Sequence, residues 1–155
     1  MRINLKKYYI EIQSPTLCTL IGRLNGFANP ESVKAGAFYP FLYLRFPDHP
    51  NNPTWINHEK IHFRQQLELL FIFYFIFIAA ERIYYRYFRK LSPLDSYLAS
   101  AFEQECYINQ SDTLYLSRRR PYAFLKYMRE KRTIRFVDRE GNITITNDEL
   151  IAINS

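Results

Sequence analysis

The sequence predicts a mainly helical α+β domain with a small N-terminal sheet, and three observations carry that prediction. No Gly or Pro occurs from Thr54 to Ser92, which leaves room for one long helix or two helices with a bend. The segments before residue 48 alternate weakly or are rich in aromatic residues, as short strands are. Pro93 and Pro121 then punctuate the remainder, because proline removes a backbone donor and cannot sit inside a helix.

Taken in order, residues 3–12 read as a strand. Residues 14–36 contain Pro15, Gly22, Gly26, Pro30 and Gly36, and read as loop and turns with room for a short strand. Residues 37–46, AFYPFLYLRF, read as a strand that Pro40 confines to a sheet edge. Asn52-Pro53 is a helix start, with Asn as cap and Pro at the first helical position. A further helix is expected over 94–117, capped by Ser92 or Asp95, and Pro121 opens a last short helix to about Lys131. Residues 133–146 read as two strands joined through Glu140-Gly141-Asn142. Residues 1–132 are therefore expected to form one domain and 133–155 a C-terminal hairpin and tail.

A chain of 155 residues with 48% apolar content can build one modest core. Its four glycines leave little material for Gly-rich phosphate loops. The net charge of +6 is concentrated in Arg82–Lys90, Arg118–Arg120 and Lys126–Arg132. Such clusters read first as solvated helix faces. Nucleic-acid binding is the rival reading, but no RRM, KH or zinc-finger pattern accompanies the charge, so no nucleic acid is expected. Cys18 and Cys106 are far apart and form no CxxC, against both a disulfide framework and a Cys-rich metal site. With no clean apolar h-region near Tyr8–Gln13, the expectation is a cytoplasmic protein, with membrane association left open.

The chemistry lies in His58-Glu59-Lys60-Ile61-His62, an HExxH sequence. On a helix, positions i and i+4 project from one face, so two imidazoles can share one zinc ion while Glu59 beside them acts as general base. The bland alternative is a surface helix that carries two histidines. The chain has three histidines, and two of them fall at this spacing. Zinc needs a third protein ligand. Gln65 and Glu68 stand where a third histidine of a longer motif would fall, and His49 lies upstream in a turn. A later helix must therefore supply a carboxylate, and Ala101–Tyr107 offers Glu103 and Glu105. On one helix these two point about 200° apart, so only one can face the metal.

The pairing of HExxH with a downstream Glu-rich helix resembles the gluzincin zinc metallopeptidases, and implies a zincin-like domain with a long HExxH-bearing helix. HEKIHFRQQLELL and FEQECYIN are also similar to the HExxHxxQQxEL and FExEAYxN segments of small bacterial HExxH proteins. The resemblance covers roughly residues 52–128. It implies zinc held by His58, His62 and Glu103, with Glu105 as the alternative ligand. It departs from the gluzincin ExxAD pattern in placing Cys106 at the small-residue position and Tyr107 at the aspartate position.

The activity implied is peptide hydrolysis with Glu59 as base, and the partner a peptide or protein substrate. An inactive zinc-binding or membrane-surface scaffold is the alternative. Tyr107, Tyr115 and Tyr122 are candidate oxyanion donors, and the aromatic strand at 37–46 is a candidate seat for an extended peptide. Residues 69–80, LLFIFYFIFIAA, carry no charge but are too short to span a bilayer, which needs about 20 residues. They are expected to be a buried central helix. The alternative is that 69–90 faces a membrane surface or another copy of the chain, with Tyr84, Tyr85, Tyr87 and Phe88 among basic residues as an interfacial belt.

Overall fold

The computed structural model describes residues 2–5, 8–25, 29–46, 53–129, 133–137 and 143–146. The Asn52 cap, His49 and the Glu140-Gly141-Asn142 turn lie outside them. The first expected strand is two: β1 (Arg2–Leu5) and β2 (Ile10–Gln13), paired antiparallel with Ile3 opposite Ile12.

Residues 14–36 hold more order than their glycines suggest. A helix, α1 (Pro15–Leu24), occupies ten of them. Ser14 Oγ accepts from Leu17 N–H at 3.3 Å, and Pro15 takes the first helical position, where its missing N–H costs nothing. Gly22 marks a close approach rather than a turn, since a Cβ there would stand 2.6 Å from Pro30 O.

The aromatic segment is a hairpin, not one edge strand. β3 (Ala35–Phe38) and β4 (Phe41–Leu44) run antiparallel, and Pro40 sits in the turn between them. With the proline outside the ladder, β4 can be central. The sheet order is β1-β2-β4-β3, with β4 parallel to β2 and β3 outermost.

The long Gly- and Pro-free stretch takes its two-helix form. α2 (Pro53–Glu68) ends before Leu70 and Phe71, both left-handed at φ 50° and 59°. α3 (Ile72–Ile83) follows and continues as a π-helical turn over Tyr84–Phe88. The expected buried central helix is corrected here: within α3 only Tyr74 is fully buried, and Ile72, Phe73, Phe75, Ile76 and Phe77 are exposed.

The single helix expected over 94–117 is three: α4 (Pro93–Leu98), α5 (Ala101–Asn109) and α6 (Tyr115–Arg118). Ser92 caps α4, accepting from Asp95 N–H at 3.1 Å. α5 is capped from outside, because the Glu81 carboxylate accepts from Ser100 Oγ at 2.6 Å and Ala101 N–H at 3.2 Å. The last short helix is α7 (Leu125–Arg129). β5 (Thr133–Val137) and β6 (Ile143–Thr146) pair antiparallel in the expected C-terminal hairpin.

Two apolar clusters hold α2 and α5 in place. Leu42 and Leu44 of β4 pack on Phe63 of α2, and Tyr74, Phe102 and Phe124 join α3, α5 and the approach to α7. Among the described residues no helix is long and apolar enough to cross a membrane.

Candidate metal centre

Six of the eight buried side chains of α2 are polar: Asn57, His58, Glu59, His62, Gln65 and Gln66. Burying polar groups costs free energy unless each finds a partner, so this helix face is organised around chemistry more than around apolar packing. Asn57 Nδ2 donates to the carbonyls of Asn109, Gln110 and Asp112 at 2.9 to 3.2 Å, which ties α2 to the end of α5.

One turn on, His58 and His62 stack edge to face with ring centroids 4.9 Å apart. Each presents its outer nitrogen to the same group. His58 Nε2 is 3.5 Å from Glu103 Oε2, and His62 Nε2 is 3.3 Å from Glu103 Oε1. The far nitrogens are already engaged. Gln65 Nε2 donates to Phe102 O and Glu105 Oε2, so its Oε1 must face His62 Nδ1, at 2.8 Å. An amide oxygen only accepts, so His62 Nδ1 carries the proton. His58 Nδ1 faces Gln110 Oε1 at 3.0 Å with the same result.

In neutral imidazoles both Nε2 lone pairs then point at a carboxylate. With neither imidazole charged, three electron-rich groups would meet, so the site needs positive charge among them: a proton on His62, or a metal ion in its place. Glu103 Oε2 is buried and has no hydrogen-bond partner. Burial pushes the Glu103 carboxyl up, but the His62 charge and the two imidazole contacts outweigh it and hold the carboxyl well below the usual range. Burial pulls His62 down, and Cys106, Tyr74 and Glu103 around it override that and raise it well above the usual histidine value.

A buried group of His58, His62 and Cys106, with one donor atom each within 4.8 Å of one another, could hold a metal ion. Cys106 Sγ lies 3.4 Å from His62 Nδ1, the edge of the ring that also meets Gln65 and Tyr74, rather than the Nε2 edge that meets Glu103. Burial pushes the Cys106 thiol up to about 12, so it is a poor thiolate source at neutral pH.

Glu105, the alternative carboxylate, lies elsewhere. It is fully buried and bound by Arg119 Nε at 2.5 Å, Tyr115 O–H at 3.0 Å and Gln65. Arg119 also pairs with Glu68 at the end of α2, which clamps α2 to α5. Tyr115 is thereby committed to Glu105, and Tyr122 is exposed, so neither lines the cleft; Tyr107 does. The Tyr107 ring stacks edge to face on His58 with centroids 4.6 Å apart. Tyr97, passed over in the sequence, lines the cleft with Glu103 and Tyr107, and burial together with the Glu103 charge raises its hydroxyl well above the usual value. No local pattern marks Tyr97, Gln65, Gln110 or Arg119; the one pointer was the Gln65-Gln66 pair, which falls a helical turn beyond His62.

Glu59 is buried beside the histidines, and desolvation raises its carboxyl above the usual value. It lines a cleft of about 1160 Å³ with His58, His62 and Glu103. Apolar residues of α1, β3 and α3 form the cleft's other walls. β3 lies against α2, where Gln66 pairs with Ala37 O and Tyr39 N–H through both ends of its amide.

No family model, curated protein or solved structure matches the chain.

Proposed function

We propose that the chain is a zinc-dependent hydrolase of the zincin kind that cleaves peptide bonds, with zinc held by His58, His62 and Glu103. The carrying observation is the Glu103 carboxylate set 3.5 and 3.3 Å from the two Nε2 atoms, with one oxygen buried and unpartnered. Two imidazoles and one carboxylate are a donor set that leaves zinc a further position for water. Zinc there supplies a lowered water pKa and a polarised scissile carbonyl.

The protein's own groups do the rest. Glu59 takes the proton of the attacking water on its carboxylate and returns it to the leaving amine, and its raised pKa brings it nearer the working pH of an acid–base catalyst. Gln65 and Gln110 hold the protons of His62 and His58 on Nδ1, away from the metal side. β3 lines the cleft over 35–38 and walls the space for an extended peptide, with Ala37 O and the adjoining Tyr39 N–H taken by Gln66.

Elemental analysis and a peptide-library digest test this together. About one zinc per chain is expected in the wild type and in Glu59→Gln, and none in His58→Ala or Glu103→Ala. Glu59→Gln should lower hydrolysis by about 100-fold or more with zinc retained. A wild type that takes up no zinc on reconstitution would sink the reading. Zinc that survives Glu103→Ala and leaves in Cys106→Ala would move the third ligand to Cys106. Zinc retained without cleavage of any peptide would leave the scaffold reading in its place.

A further inference from the structure

We propose that the face formed by α3 and its π-helical extension docks on an anionic lipid bilayer. One stripe of this helix packs inward: Tyr74, Ile78, Glu81 and Tyr85, at helical spacing, are its buried or half-buried positions along that side. On a surface helix the remaining flanks should be polar. Here they are apolar and face water, with Ile72 70%, Tyr87 77% and Phe88 75% exposed and Phe73 and Ile76 more than half exposed. Contiguous apolar surface of this kind marks a site that something covers.

The charge pattern says what covers it. Glu81 is the only acidic residue between 69 and 94, and it is turned inward onto Ser100 and Ala101. Arg86, Arg89 and Lys90 lie toward one end, interleaved with Tyr84, Tyr87 and Phe88, while Arg82 is half-buried over the Tyr97 ring. Along the helix the surface therefore passes from uncharged Ile and Phe at 72–77 to a mixed tyrosine and basic end at 84–90. That is the order of a bilayer interface, from acyl chains to the belt where Tyr sits to anionic headgroups. A second copy of the chain would bring the same cationic end with no acidic counterpart on this face.

The 12 residues of α3 and the five of its extension span about 25 Å, short of the roughly 30 Å hydrocarbon core. The helix therefore enters the interface tilted, its 72–77 end deeper and its basic end among the headgroups, and does not cross it. Phe75, Ile78 and Arg82 also line the cleft above His58 and His62. Docking thus sets the mouth of the cleft at the lipid surface, and on the hydrolase reading its substrates are membrane-borne peptides; the docking itself stands apart from that reading.

Flotation of the full chain with vesicles of phosphatidylcholine, alone or mixed with phosphatidylglycerol, tests the assignment without reference to metal or hydrolysis. Partition at least about tenfold stronger into the anionic vesicles is expected, with most of that preference lost in Arg86→Gln/Lys90→Gln. Phe73→Ser/Ile76→Ser should weaken partition into both, while an unchanged circular dichroism spectrum certifies the fold. Failure to float with either vesicle overturns the proposal, and so does equal partition into both. A lipid-free dimer that Phe73→Ser/Ile76→Ser dissociates, without vesicle binding, assigns the face to a second copy instead.

Discussion

Gln65 decides which nitrogen of His62 is available, and it does so through contacts 37 and 40 residues away in sequence. Its amide nitrogen is claimed by Phe102 O and Glu105, which leaves only its oxygen for His62 Nδ1. Gln65→Leu keeps the bulk and removes the acceptor. Metal affinity should fall by about 10- to 100-fold, read by competition with a chromophoric chelator. An affinity unchanged from wild type would mean that Tyr74, 3.1 Å from the same nitrogen, suffices to fix the ring. At this scale the sequence was informative where the helix itself sets the geometry. His58 and His62 could be paired by spacing alone, and Glu103 and Glu105 could be placed on opposite faces by the same rotation. Gln110, Tyr97 and Arg119 could not be found, because their partners are chosen by how α5 lies across α2.

The break between α4 and α5 shows why helix boundaries were harder to read than helix existence. Nothing in Leu98-Ala99-Ser100-Ala101 forbids a continuous helix. The new helix begins there because Glu81, on α3, accepts from the first N–H of α5, at Ala101, and from the Ser100 hydroxyl before it. A cap delivered by a different helix leaves no local signature, whereas the Ser92 and Ser14 caps are local, and Ser92 was legible. Ser14-Pro15 carried the same signal, masked by the glycines that follow. Glu81 also gives a pH test. Burial raises its carboxyl above the model-compound value of 4.5, and the bonds from Ser100 and Ala101 only partly offset this. The folded state therefore holds that proton more tightly than the unfolded chain does. The resulting stability is fully present below about 4.5 and is lost as pH rises through the folded value. Glu81→Gln keeps an acceptor and does not titrate. Wild type should gain stability relative to the variant as the pH is lowered from 7 toward 4.5, measured by urea midpoints; a difference that stays flat with pH would show that the carboxyl is not held in this way.

For the molecule as a whole, the α+β composition, the N-terminal sheet and the C-terminal hairpin followed from pattern, while the exposure of α3 did not. An apolar run of that length is buried in most proteins of this size, and periodicity cannot say whether its neighbours suffice to cover it. The sheet occupies one side of α2, and α5 with the approach to α7 occupies another, so α3 is left with one packed stripe. The same arrangement sets the consequence of metal removal. The Phe63 cluster holds α2 on the sheet, the Phe102 cluster holds α5 on α3, and the Arg119 clamp joins α2 to α5, all without an ion. Chelation should therefore leave the far-ultraviolet circular dichroism spectrum intact and lower only the melting temperature. At free zinc of 1,000 times its dissociation constant the restored stability amounts to about 4 kcal/mol. Loss of helical signal on chelation would show instead that the fold depends on the ion.

The Arg119 clamp has a consequence for how an ion arrives. Because Arg119 locks Glu68 to Glu105, and Glu105 locks Gln65, the His62 ring is held by contacts that do not involve an ion. The ordering entropy of the site is spent when the chain folds, not when it loads. Uptake then reduces to stripping water from the ion and shedding the protons that the site carries. An ion held there would come and go without rearranging the helices that form the site, and its exchange would be governed by access through the cleft.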